Sequence, residues 1–276
     1  MLPTVRIGNA DVTRLIVGGN PMSGISHSSS DMDEDMLRHY TMPRLQQLLD
    51  DCWKNGINTV QSRGDRHQMR MYLEHRENGG KMQWIAQTAS EFRDIHANID
   101  QIASYKPIAI YHHGTHTDNS WHEGNIDQVR DFLKRIHDHG LPAGIGTHIP
   151  QVVEYAEEHG WETDFYMCCF YNLARGYKSA PSVQQSSYQE EQYQIADREP
   201  MTAVMRQVKK PCLGFKILAA TRNTTTPEDT RRAFEYAFSH IKPIDAVVVG
   251  MFPKYRDQVT ENAGYVRELC AAKIGA

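Results

Sequence analysis

No stretch of this chain reaches the roughly 20 consecutive apolar residues that a membrane-spanning helix needs, so no membrane partner is expected. An excess of one charge is lacking too: 30 Lys and Arg stand against 34 Asp and Glu, a formal net charge of −4. With no basic run and no basic residues interleaved with aromatics, nucleic acid is not expected as a partner. Met1 to Val17 has no apolar core of the secretory kind and carries Arg6, Asp11 and Arg14, which does not read as a signal peptide. Cysteine is scarce. Cys52, Cys168, Cys169, Cys212 and Cys270 form an odd set without framework spacing, which fits a reducing compartment. The expectation is a cytoplasmic protein whose partner is a small-molecule substrate. No Gly-x-Gly-x-x-Gly follows the first apolar run, which removes the signature of an open dinucleotide-binding sheet.

What the chain does have is alternation. Short apolar runs are followed eight times by segments of helical period, the pattern of βαβ units around a parallel sheet. The expected strands are Arg14–Val17, Thr59–Gln61, Gln83–Ala86, Ile108–Tyr111, Ala143–Gly146, Phe165–Cys169, Gly214–Leu218 and Ala246–Gly250. The expected helices are Met42–Asn55, His67–Glu77, Phe92–Ser104, Ile126–His139, Pro150–His159, Glu199–Val208, Pro227–His240 and Lys254–Ala272. In the fourth helix Ile126, Val129, Phe132, Leu133 and Ile136 recur at three and four residues, while Arg130, Asp131, Lys134 and Arg135 take the other face. Eight such units close more naturally into a (β/α)8 TIM barrel, a single domain over residues 1–276, than into an open sheet. The long connections Gly18–Thr41 and Ala174–Arg198 both follow strands. They are expected either to cap the catalytic face or to be surface insertions.

Several segments resemble the aldo/keto reductase superfamily in order and spacing along nearly the whole chain. They are Arg6-Ile7-Gly8 with Val12 to Gly19, Gly56-Ile57-Asn58, Tyr171-Asn172, Lys216 to Ala220, and Asp245 to Met251 followed by Glu261-Asn262. The resemblance implies a barrel entered through an N-terminal hairpin. It also implies a tetrad of Tyr, Lys, Asp and His, and here the chain departs from the pattern. The Asp position falls at Gln61, the Tyr position near Arg66 and the Lys position at Thr88 or Gln87; His112 matches the His. Without a phenol tuned by a neighbouring ammonium, the family's usual proton donor is missing. The positions that would meet a nicotinamide carboxamide read Thr147-His148 and Cys168. Glu261-Asn262, implied to meet adenine, is kept, but the Arg expected on the nucleotide reads Gln258, with Lys254 or Arg256 as substitutes. The resemblance therefore implies Glu261, Asn262, Lys254 and Arg256 as cofactor-binding residues for NADP(H).

The replacements suggest other chemistry. Imidazole and thiolate are preferred ligands of zinc and related transition metals, and two His, one Cys and an open position make a catalytic zinc arrangement. His112, His148 and Cys168 are the expected set. A one-residue slip of register would put His113 and Cys169 there instead, with His116 in reserve. Against this stands the plainer reading of hydrogen-bonded polar groups and a small buried thiol. Lys216, among apolar neighbours, is a candidate base or Schiff-base nucleophile. Tyr171 is a candidate acid or base beside it. Three functions remain open. One is a divergent, metal-assisted member of the superfamily acting on a carbonyl-bearing or polyhydroxylated small molecule by proton transfer, elimination or hydrolysis, with His112, Lys216 and Tyr171 as catalytic groups. The second is an NADP(H)-dependent oxidoreductase with a rearranged site, and the third a non-catalytic ligand-binding barrel.

Overall fold

The structure is a computed structural model that describes residues 1–175 and 191–272, the side chain of residue 272 excepted. Strands β1 (Thr4–Ile7) and β2 (Ala10–Thr13) form an antiparallel hairpin. The eight expected strands follow as β3 (Leu15–Gly18), β4 (Thr59–Arg63), β5 (Gln83–Gln87), β6 (Ala109–His112), β7 (Ala143–Thr147), β8 (Phe165–Cys169), β9 (Cys212–Phe215) and β10 (Ala246–Gly250). All neighbouring pairs are parallel, and β9 and β10 complete a closed barrel in chain order. The (β/α)8 architecture expected from the alternation is therefore the one observed.

Side chains alternate across each strand, and the two apolar layers separate accordingly. Ile16, Ile85, Ala109, Tyr111, Phe165, Met167, Leu213, Ala246 and Val248 fill the barrel interior, and Val5, Ile7 and Val12 of the hairpin close its lower end. Leu15, Val17, Val60, Trp84, Ile110, Ile145, Tyr166, Cys168 and Cys212 face the helices instead. One glycine serves this packing directly. A Cβ at Gly144 would stand 2.7 Å from the Phe165 ring, so the large interior phenyl depends on the bare neighbour.

Ten helices surround the barrel among the described residues. Eight are near their expected positions: α2 (Met42–Lys54), α3 (Arg66–Glu77), α4 (Ile95–Ser104), α6 (Val129–Asp138), α7 (Pro150–Glu158), α8 (Arg198–Gln207), α9 (Pro227–His240) and α10 (Gln258–Ala272). Two lie where loops were expected. Helix α1 (Ser30–His39) starts at Ser29, whose hydroxyl accepts from the Met32 amide. Helix α5 (Gly114–His122) starts at His113, whose ring accepts from the Thr115 amide. Both caps satisfy amides that a helix start leaves free. No helix of the described residues is long and apolar enough to cross a membrane.

The seventh barrel strand starts two residues before and ends three residues before the expected bounds. It ends at Phe215 because Lys216 turns away at φ 58°, and Ala219, Ala220 and Thr221 also have positive φ. This stretch of left-handed backbone, uncommon for residues with a Cβ, shapes the rim above β9.

Candidate active site at the barrel mouth

The C-terminal ends of the strands converge on a cavity of about 370 Å³. Its inner end is lined by Gly18, Gly19, Gln61, Phe215 and Lys216, and its outer end by Arg256, Gln258, Glu261 and Asn262 at the start of α10. The connection after β3 walls one side through Asn20 to His27, so this long connection does cap the catalytic face. Of the other, residues 176–190 lie outside the described residues, but Glu191 and Tyr193 reach the mouth. The glycines keep the inner floor flat. At Gly19 a Cβ would meet the Ser62 Cβ at 2.4 Å and its Cα at 3.0 Å.

Lys216 sits on the rim within a charged cluster. Its Nζ lies 3.6 Å from Glu191 Oε1, and the same oxygen is 2.8 Å from His27 Nδ1. The Tyr193 hydroxyl donates to the other carboxylate oxygen at 2.7 Å. Burial alone would raise the Glu191 carboxyl, but His27, Lys216 and Tyr193 outweigh it and hold it below the usual carboxylate range. His27 is pushed below the ordinary imidazole value, first by burial and then by the Lys216 charge.

A second cluster lies across Phe215. Asp118 on α5, almost wholly buried, accepts from Thr147 Oγ1 at 2.5 Å and from the His148 amide at 3.1 Å. Its Oδ2 is 2.6 Å from His148 Nδ1. The Phe215 ring packs edge-on against the same imidazole at 5.4 Å. Burial would depress the His148 imidazolium, yet charge and hydrogen bonds from Cys169 and Asp118 exceed that penalty and push it up to about 10. His113 moves the opposite way, well below 6.5, through burial and the nearby His116, Arg63, His112 and His148. The mouth thus places one cationic imidazole beside neutral ones.

The expected metal set does not assemble. His112 points outward, where its ring stacks on Phe132 of α6 at 4.6 Å, and Thr88 Oγ1 lies 3.3 Å from its Nδ1. Cys168 also faces outward, in the helix-facing layer that holds Cys212. Only His148 of the three is at the mouth, and Asp118 takes its Nδ1. Residues on opposite faces of a strand cannot share one ion, and no group of three or more His, Cys, Asp or Glu among the described residues could hold a metal. His112 as a catalytic group falls for the same reason.

Among the other expected site residues, Lys216 lines the cavity. Tyr171 does not: it is buried, packs against the Tyr193 ring at 5.2 Å, and its hydroxyl accepts from Asn223 at 2.9 Å. Arg256, Glu261 and Asn262 line the outer cleft, with Arg256 Nε 2.5 Å from Glu261 Oε2. Lys254 instead pairs with Asp35 of α1. Gln258 accepts from the Phe252 amide at 2.7 Å and so holds the rim. Asp118, Glu191 and His27 were not anticipated. The only available signal for Asp118 was an acid two residues after a histidine in Gly114-Thr115-His116-Thr117-Asp118.

A closed parallel barrel with a cleft at its C-terminal face is the arrangement of (β/α)8 enzymes, whose sites lie on that face. The comparisons agree on architecture. An aldo-keto reductase of Bacillus halodurans in holo form superposes with a TM-score of 0.60 at 13% identity, covering 99% of this chain and 96% of that one. A truncated 3-deoxy-D-arabino-heptulosonate 7-phosphate synthase of Thermotoga maritima gives 0.57 at 11%, covering 99% and 93%. An inhibitor-bound orotidine 5'-monophosphate decarboxylase of Methanocaldococcus jannaschii gives 0.50 at 13%, covering 83% and 93%. No family model and no curated protein matches the chain. At these identities the likeness is one of fold.

Proposed function

We propose that this chain is a small-molecule enzyme, a divergent relative of the aldo/keto reductases, that reduces or oxidises a carbonyl-bearing or polyhydroxylated substrate with NADP(H). The observation that supports this most is the cleft itself, which runs from the barrel mouth at Gln61 and Lys216 to Arg256 and Asn262 at α10. Its volume of about 370 Å³ is within the range of small-ligand sites. The residues present suit a dinucleotide in chemical character. Phe215 offers an aromatic face to a planar ring at the inner end, and the bare backbone of Gly18 and Gly19 allows close approach. At the outer end Arg256 offers a guanidinium to a phosphate. The Asn262 side chain lines the cleft, where its amide can meet a base edge.

When bound, the dinucleotide would supply or accept the hydride. The protein's own groups handle charge and protons. His148, whose imidazolium form the Cys169 charge and Asp118 favour and whose ring packs against Phe215 at the inner end, is the candidate to donate a proton to a developing alkoxide in place of the absent phenol. Lys216 places positive charge at the rim, where it favours an electron-rich oxygen. A redox-neutral reading, proton transfer or elimination on a polyhydroxylated substrate, draws support from the Lys216–Glu191–His27 cluster, which needs no second ligand. Calorimetric titration with NADPH and NADH separates the two. Binding that weakens about tenfold in Arg256→Ala, the loss of roughly one charge-assisted contact, is the result expected of the first. Absence of binding at millimolar nucleotide would leave the redox-neutral reading.

A further inference from the structure

Lys216 carries donors that its neighbours at the rim do not take up. Its Nζ stands 3.6 Å from Glu191 Oε1, an ion pair longer than a hydrogen bond, and 5.5 Å from the centre of the Tyr193 ring. An ammonium has three N–H donors, and neither contact takes one. The residue lines the cavity with 12% of its side chain exposed. The backbone puts it there. Phe215 belongs to the interior layer of β9, so a strand continuing one residue further would turn its side chain toward the helices. The φ of 58° at Lys216 ends the strand, and the side chain stands on the rim instead.

Glu191 does not cancel the charge of this rim. His27 Nδ1 is 2.8 Å from one of its oxygens, and the Tyr193 hydroxyl donates to the other at 2.7 Å. Burial and the Lys216 charge lower the His27 value, which keeps that ring neutral at pH 7. Arg222 adds a second cation. Its guanidinium lies 4.3 Å from the centre of the Tyr193 ring, and its Nη1 donates to the carbonyls of His27 at 3.2 Å and of Ala219 and Ala220 at 3.3 Å, all of them neutral partners. Two cations thus face one carboxylate, an excess of one positive charge. Farther out in the cleft Arg256 and Glu261 offset each other. A rim of this sign with ammonium donors to spare suits an anionic oxygen, to which such a donor makes a short, charge-assisted bond.

We propose that Lys216 is a specificity-determining residue that binds an anionic group of the substrate, a carboxylate or a phosphate, so that the carbonyl compound taken by this cleft is an acidic one. This rests on the reading of the cleft as a carbonyl-substrate site and deepens it by naming the class. Glu191 keeps His27 and Tyr193 when the ammonium turns to the ligand, so binding an anion leaves no carboxylate stranded.

The test uses the full chain without nucleotide and three unreactive probes, glycerol 3-phosphate, 4-hydroxybutyrate and glycerol, titrated by saturation-transfer NMR. At least one anionic probe should bind about tenfold or more tightly than glycerol, and which of the two does so identifies the anion. Lys216→Met, whose unbranched side chain suits the same backbone, should remove that preference. Glu191→Gln takes away the opposing charge and should tighten the preferred anion several-fold, an effect that a lysine serving only the structure of the rim would not give. Circular dichroism checks the fold of each variant, and Glu191→Gln decides if Lys216→Met does not fold. Equal binding of the three probes by the wild type would overturn the proposal, as would an anion preference that the folded variants leave unchanged. Added NADPH should leave the anionic probe bound; its displacement would give Lys216 to the dinucleotide's phosphates and overturn the proposal as well. Because the probe titrations omit nucleotide, they and the NADPH titration fail separately.

Discussion

His112 stays neutral in the folded protein because burial, with a smaller contribution from His116, pushes its pKa down to about 3. Its unfolded value is near 6.5. A depressed folded value means that the unfolded chain binds the extra proton first, so stability is fully present above about pH 6.5 and is lost progressively as pH falls toward about 3. At pH 5 the interval traversed is about 1.5 units, and at roughly 1.36 kcal/mol per unit this residue alone costs about 2 kcal/mol relative to pH 7. His112→Phe removes the titration while keeping an aromatic ring against Phe132. Thr88 Oγ1 is left with the His113 amide that already donates to it at 3.0 Å. The assay is urea unfolding of both proteins at pH 7 and pH 5. The variant starts less stable by about 1 kcal/mol from overpacking, but the wild type should lose about 2 kcal/mol more between the two pH values. Buried His113 and the other titrating groups cancel in the difference. Parallel losses in the two proteins would refute the placement of His112 as a neutral ring of the helix-facing layer.

Two further outcomes follow from the mouth. The raised value of His148 has the opposite sign: its contribution is complete below about pH 6.5 and is lost as pH rises through about 10. Asp118→Asn should therefore destabilise the protein by roughly 3 kcal/mol at neutral pH, as removing one partner of a buried pair does, and the gap to wild type should narrow above about pH 10 in denaturant melts. A constant gap would mean that the ion pair is not its source. Gly19→Ala should cost on the order of 2 kcal/mol through its clash with Ser62. A thermal midpoint within a degree or so of wild type would show that the floor can shift.

The barrel was legible in the sequence because short apolar runs alternate eight times with segments of helical period along the chain. Phe165–Cys169 and Pro227–His240 were expected with the boundaries observed. The β9 boundary was not, since Lys216-Ile217-Leu218 reads as a continuing strand and only the positive φ of Lys216 ends it. Helix α1 was hidden by a polar sequence with one buried residue, Met36, and α5 by the short, weakly periodic Gly114–His122. The site was harder for a related reason. All five residues of β8 are buried, as are all four of β6. A strand covered on both faces loses the apolar–polar alternation that shows which residues point inward. Cys168 and Cys169, like His112 and His113, are therefore indistinguishable in sequence, and the choice made from the resemblance took the outward member of each pair. Asp118 was missed because the helix that carries it was.

The hairpin of β1 and β2 has a consequence for traffic. Val5, Ile7 and Val12 close the far end of a barrel whose interior is already filled by side chains, so nothing passes along the axis and the cavity is reached from the C-terminal face. Two occupants of such a space must queue: the deeper one arrives first and leaves last. For the dinucleotide and substrate proposed above, that predicts an ordered sequence of arrival and departure.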